Sequence, residues 1–317
     1  AGRAELNQER LEQLAALGYI TTTVEEGTPT EGLPDPVTQL PMLKEVEHAR
    51  SLLQSGDIEA AHTQVDKILE ESPTFVDMRS LKTQLLIREG KLSEAYEAAL
   101  ALDKDHPSTN HKSLVANILL RTGRTREASA VFRSIVGIDP YLKDAWGGLL
   151  TTLFLTGQIP QLDAAVQESK ALHPTSLAVM TFDGIVLIMR GKTEEAEPIL
   201  LNVLRLNPNQ PFVNHSLALA RRAQGDPNAA EQFLTEEIRL HPPAIPARRT
   251  LVEVLAEQRR YEDQLAQLKI IASLEAPSVL TMHSRAQALF NLDRIDESAT
   301  ETTRCREADP DYPGCWM

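Results

Sequence analysis

The sequence predicts an all-α solenoid of about eight antiparallel helix pairs, and three observations carry that expectation. A turn glycine recurs at Gly56, Gly90, Gly123, Gly157, Gly191 and Gly225, in steps of 34, 33, 34, 34 and 34 residues. A proline follows each glycine at seventeen residues: Pro73, Pro107, Pro140, Pro174, Pro208 and Pro242, with Pro310 another 68 residues on. Five residues after the glycine comes Ala61, Ala95, Ala128, Ala196 or Ala230, with Leu162 in the one remaining slot. A fixed period near 34 marks a stacked array in which no unit buries both of its apolar faces alone.

The elements follow in order. Residues 1–20 hold a short amphipathic helix, AELNQERLEQLAAL over 4–17, where Leu11, Leu14, Ala15 and Gly18 fall at three- and four-residue spacings. Gly18 is a natural stop. Residues 21–41 read as a linker rich in Thr, Gly, Pro and Glu, with Pro29, Pro34 and Pro36 against regular structure. The array occupies 42–312. In each unit an apolar-periodic helix runs into the glycine, and a second helix stops near the proline. A sharp helix–helix turn needs positive φ, which glycine adopts without a Cβ penalty. The small alanine lets two helices approach, and proline cannot continue a helix. Asp226-Pro227 reads as an N-cap followed by proline at the first helical position. Ser93 and Thr125 are expected to cap in the same way, and Pro160 fits a helix start. Pro198, one turn into its helix, should cost a hydrogen bond. The last two units depart from the frame: Arg259 and Asp293 take the glycine slot, and Gln264 and Ser298 the alanine slot. Residues 313–317, with Tyr312 beside them, are expected to cover the end of the array as a C-terminal cap.

Composition narrows the partner. With 32 Lys and Arg against 45 Asp and Glu, the formal charge is −13. That argues against nucleic acid and against an anionic membrane surface, both of which call for basic patches. No apolar run approaches the length of a membrane span, so no membrane insertion is expected. The chain begins at Ala1 without a charged-then-apolar leader, which fits either a removed leader or a fragment of something longer. Cys305 and Cys315 close a short terminal loop; that suits a disulfide in an oxidising compartment, with free thiols as the alternative.

Catalytic chemistry finds no foothold. There is no GxxxxGK[ST], no GxGxxG after a strand, no HExxH, CxxC or GxSxG. His106, His173 and His241 each precede a closing proline, where they serve the last carbonyls of a helix better than a metal. The pairs Glu194-Glu195 and Glu236-Glu237 read as solvated charge on outer, second-helix faces. Asn214-His215-Ser216 is a formal glycosylation sequon inside a helix and is discounted. No catalytic residue, cofactor or metal site is therefore expected, and the chain is read as not an enzyme.

The frame closely resembles the tetratricopeptide repeat across 42–312, and Trp146 and Gly184 fall where that family places a large aromatic and a small residue. The resemblance implies a right-handed superhelix that binds a peptide or partner protein in its concave groove. A second resemblance covers residues 6–36. LEQLAALGYI, a low-complexity stretch and GLPDP are similar to the junction after sulfatase and alkaline-phosphatase-superfamily catalytic domains in bacterial enzymes. It implies a C-terminal regulatory or targeting domain of a periplasmic or otherwise extracytoplasmic hydrolase. None of the catalytic signatures of those enzymes, such as CxPSR, is present.

If the first helix of each unit lines the groove, the inward stripe lies 13, 10, 6 and 3 residues before the turn. It offers Asn110, Ser113 and Asn117, then Thr151 and Phe154, then Thr181, then Phe212, His215 and Arg222, then Arg249, then His283. Trp146, Leu149, Leu150 and Leu153 form the opposing core stripe. Asparagine amides beside apolar patches suit a bound peptide backbone. Arg221, Arg222, Arg248, Arg249, Arg259 and Arg260 gather in one region, where arginine forks would take an acidic segment. The alternative is interhelical ion pairing with Glu253, Glu257 and Glu262. The Lys-and-Asn carboxylate clamp of some family members is not reproduced. Self-association through the groove is also open.

Overall fold

The computed structural model describes residues 36–316, with side chains from Lys44 onward. The expected N-terminal helix and most of the linker lie outside the described residues. Sixteen α-helices follow, without strands among the described residues, as eight consecutive hairpins. They are α1 (Pro36–Ser55) with α2 (Ile58–Glu71), α3 (Val76–Arg88) with α4 (Leu92–Asp105), and α5 (Thr109–Arg121) with α6 (Thr125–Ile138). Next come α7 (Lys143–Leu155) with α8 (Ile159–Leu172), α9 (Leu177–Met189) with α10 (Thr193–Leu206), and α11 (Val213–Ala223) with α12 (Pro227–Leu240). α13 (Ile245–Glu257) with α14 (Tyr261–Leu274) and α15 (Val279–Asn291) with α16 (Ile295–Ala308) complete the series before a 3-10 turn at Pro313–Trp316. The first helix starts at Pro36, so residues 36–41, read from sequence as linker, are helical. Proline is compatible with the opening of a helix, where its missing N–H is not needed.

The chain divides into two compact units, within α3: residues 1–81 and 82–317. In the first, Ala61 and Val65 of α2 and Val46, Ala49 and Leu53 of α1 are buried. In the second, each first helix packs on its own second helix and on the second helix of the preceding pair. First helices also touch one another along the row α5, α7, α9, α11 and α13. Apolar side chains of α3 to α9 merge into one continuous core centred on Phe132, Trp146 and Phe182. The core stripe Trp146, Leu149, Leu150 and Leu153 is buried as expected.

The turns explain the period. All six repeat glycines have positive φ, between 68° and 84°. In each case the following N–H returns to the carbonyl five residues back, as in Lys91 to Leu86 and Asp226 to Arg221. This is a Schellman closure, which needs a left-handed residue after the helix. Arg259 and Asp293 adopt φ of 60° in the same slot and make the same bonds, Arg260 to Leu255 and Arg294 to Leu289. The frame therefore persists where its glycine does not, against the left-handed strain of an L side chain.

Capping differs from expectation at two points. Asp226 accepts from the Ala229 N–H at 3.0 Å, and Asp57 caps α2 in the same way. Ser93 and Thr125 do not cap, because α4 and α6 begin at Leu92 and Thr125, with Lys91 and Arg124 in the cap position. Side-chain caps come instead from Ser108 and Ser278 at the starts of first helices.

A further repeated device anchors the start of first helices. The indole N–H of Trp146 donates to the Pro140 carbonyl six residues earlier at 2.8 Å, and Trp316 donates to Pro310 at 2.8 Å. Arg248 does the same to Pro242 at 3.1 Å. His173 approaches the Pro140 carbonyl as well, at 3.1 Å. Asp139 and Asp309 each accept from the N–H two residues on. Residues 309–316 thus copy 139–146, with buried Cys315 in the slot of buried Ala145. Cys315 is joined to Cys305 of α16 by a disulfide, with Cα atoms 5.7 Å apart.

Candidate functional site

The row of first helices brings some of the anticipated groove residues together and buries others. Asn110 and Asn117 on α5 are exposed, and Thr151 and Phe154 on α7 are half-buried. Ser113, half-buried, donates its hydroxyl to the Thr109 carbonyl at 2.8 Å. The rings of Phe154 and Phe212 meet edge to face at 5.6 Å, although their helices are separated by α9. Phe182 of α9 fills the gap, 5.9 Å from Phe154 and 5.8 Å from Phe212. His215 lies 6.0 Å from Phe154. Such tilted and T-shaped contacts favour the quadrupoles of the rings beyond simple area burial.

Two anticipated positions are corrected. Thr181 is fully buried and returns its hydroxyl to the Leu177 carbonyl at 2.8 Å. The reason is the setting of α9, a nearly all-apolar helix between α7 and α11. His215 is only 3 % exposed and pairs with Thr250 of α13 at 2.9 Å. The Thr250 hydroxyl donates to the Pro246 carbonyl, so Nε2 of His215 is the donor to Thr250, and Nδ1 is left without a partner. Burial holds this imidazole at about 4, well below its ordinary value of 6.5. It is a neutral strut in the wall.

Four of the six clustered arginines are ion-paired. Arg222 forks onto Glu253 and Glu257 of α13, and Arg249 meets Glu275 at 2.5 Å. Arg221 pairs with Glu197, and Arg260 with Glu231 and Asp263. Arg248 bonds Gln267 and the Pro242 carbonyl. Ion pairing occupies the forks of Arg221, Arg222, Arg249 and Arg260, while Arg248 serves neutral acceptors. His283 is half-buried with its ring 5.8 Å from Tyr312 of the C-terminal tail.

Glu237 is the buried charged residue that sequence reasoning misplaced. Its neighbour Glu236 sits outside and pairs with Arg239, as expected of solvated charge. Glu237 is 2 % exposed. Its carboxylate accepts from the Phe212 N–H at 2.7 Å and faces the His215 N–H at 3.4 Å. Burial pushes the carboxyl above the ordinary carboxylate value, while those N–H groups and nearby His241 pull the other way. The signal was present in the period. Twelve residues past each turn from Gly90 onward stand Leu102, Ile135, Ser169, Val203, Glu237, Ile271 and Cys305, all buried. Asn214, in the slot of Trp146 and Arg248, is buried with its amide nitrogen unpartnered, since its side chain is too short to reach a carbonyl six residues back.

Among the described residues no group of His, Cys, Asp and Glu could hold a metal, and no helix is long and apolar enough to cross a membrane. The arrangement offers an extended surface built from successive first helices.

The fold defined by these hairpins is that of a tetratricopeptide-repeat solenoid. Residues 52–118, about a fifth of the chain, match the tetratricopeptide repeat family. Human tetratricopeptide repeat protein 7A is 28 % identical over 127 residues, which is 40 % of this chain and 15 % of that protein. Among solved structures, the anaphase-promoting-complex hetero-tetramer Cut9-Hcn1 aligns with a TM-score of 0.63 at 17 % identity, over 86 % of this chain and 54 % of that one. A human IFIT1 dimer with m7Gppp-AAAA aligns with a TM-score of 0.58 at 12 % identity, over 81 % of this chain and 66 % of that one. The chain thus spans a small part of the curated relative and about half of the first structure.

Proposed function

We propose that this chain is a non-enzymatic interaction scaffold that binds a segment of a partner protein along its row of first helices. The observation that supports this is the run of exposed Asn110 and Asn117 on α5 leading to half-buried Phe154 on α7 and Phe212 before α11. Asparagine amides can hold a peptide backbone from both its donor and acceptor sides. The aromatic patch suits an apolar side chain of the partner. Because four of the six clustered arginines are already ion-paired, the preferred segment is neutral and apolar rather than acidic. The test is affinity capture from the native source, followed by titration of the captured partner. Asn117→Ala combined with Asn110→Ala, both exposed, should weaken binding at least about tenfold, the equivalent of 1.4 kcal/mol, while the thermal midpoint stays close to wild type. Equal loss of stability and binding would overturn the reading, and capture of the same chain would make the partner a second copy.

A second reading is favoured by the Cys305–Cys315 disulfide together with the LEQLAALGYI junction. In it the array is the C-terminal regulatory domain of an extracytoplasmic, sulfatase- or phosphatase-like hydrolase. Disulfides persist in oxidising compartments. A reading frame with no catalytic domain upstream of Ala1 would remove it.

A further inference from the structure

The start of α11 differs from every other complete first helix of the second unit. α5, α7, α9, α13 and α15 each have 13 residues, whereas α11 has 11. By the 34-residue frame it should begin at Pro211, in register with Leu177 of α9. Pro211 and Phe212 are peeled away instead. Phe212 sits in the left-handed region with φ of 68° and ψ of −4°, in a slot where no turn glycine is expected. A bulky side chain in that region is a strained outlier that neighbouring structure must hold in place.

One side chain is placed to hold it. Glu237 projects from α12, the second helix of the same pair, and its carboxylate receives the Phe212 N–H at 2.7 Å. Phe212 has no side-chain cap of its own. The carboxylate therefore acts as an N-cap from another helix, at the end where exposed N–H groups and the helix dipole favour negative charge. The same core slot carries Ile135, Val203 and Ile271 in other hairpins, so a buried carboxylate is not needed for packing. On this left-handed residue the Phe212 ring lies 5.6 Å from Phe154 and 5.8 Å from Phe182.

We propose that Glu237 is the positioning residue of the aromatic wall: by capping α11 across the hairpin, its carboxylate holds Phe212 left-handed and so lays its ring against Phe154 and Phe182. The link from this wall to binding rests on the groove reading above; the positional claim stands apart from it.

The experiment uses the full chain labelled with 4-fluorophenylalanine and read by fluorine NMR. The seven phenylalanines are assigned by single Phe→Leu substitutions. In Glu237→Gln the Phe154, Phe182 and Phe212 resonances should move together, while those of Phe75 and Phe290 stay in place. Unmoved Phe154 and Phe212 resonances in a folded Glu237→Gln protein would overturn the proposal. If that variant is too unstable to measure, the comparison shifts to the Phe212→Gly background, where glycine takes the left-handed backbone unaided. There Glu237→Gln should lower Tm by clearly less than it does beside Phe212, and an equal drop in both backgrounds would reduce Glu237 to a structural acceptor and end the idea. Loss of partner binding does not enter either arm, so failure of the groove reading would be seen separately.

Discussion

The hairpins α7–α12 and the hairpins α13–α16 obey one frame by different means. In the first group the turns are Gly157, Gly191 and Gly225, and the packing slots hold Leu162, Ala196 and Ala230. In the second, Arg259 and Asp293 turn left-handed without glycine, and Gln264 and Ser298 occupy the packing slots. Ser298 donates to the Ala286 carbonyl at 2.9 Å, while the Gln264 amide oxygen finds no partner. The contrast shows that neighbour stacking, not the signature residues, dictates the hairpin geometry. Signature residues lower the strain of a geometry that a stacked array imposes anyway. The first group, with its slots satisfied, is where a strained residue appears outside the turns, at Phe212.

Three measurements would break or sharpen that contrast. Trp146→Ala should cost the most, about 3–5 kcal/mol, because a fully enclosed aromatic and its bond to the Pro140 carbonyl are both lost. Urea unfolding of variant and wild type would read it, and a smaller loss than from Trp316→Ala, 64 % exposed at the other copy of the device, would reverse the ranking of the two regions. Next comes His215. Above its ordinary value of 6.5 the ring is neutral both folded and unfolded. Below that, only the unfolded chain takes up the proton until about pH 4, so stability falls between the two values by on the order of 3 kcal/mol. Glu237 acts in the opposite sense: with its folded value raised, acidification through that value favours the folded state. Comparing wild type with His215→Gln across this window isolates the histidine, and identical pH profiles would show that it is not buried as a neutral strut. The smallest effect is a gain. Arg259→Gly and Asp293→Gly should each raise stability by about 1 kcal/mol by relieving left-handed strain, measured by thermal or urea unfolding.

The sequence revealed the hairpins because their turns recur at a fixed spacing, and a left-handed residue is legible even as Arg259 or Asp293 once the slot is known. The exposure of a groove position was less legible. Thr181 and His215 lie on the expected face, yet α9 is packed between two other first helices and His215 is engaged by Thr250, 35 residues away. Glu237 was misread because charge next to charge suggests solvent, although its place twelve residues past the turn is a core slot. Its partners, the N–H groups of Phe212 and His215, belong to a different helix, and no local pattern announces them. The arginines were visible as a cluster, but only geometry assigns four of them to particular carboxylates.

The tail at Pro310–Trp316 begins as a ninth first helix would begin, down to the proline carbonyl held by a tryptophan. Within its 3-10 turn a sulfur–sulfur bond from Cys315 to Cys305 ties the segment to α16. Closing a loop of this size is worth about 2–3 kcal/mol in chain entropy. The hold of α16 on the Pro310–Trp316 segment is thus governed by the thiol–disulfide balance of the surroundings as well as by apolar area, so reduction would loosen that segment from α16.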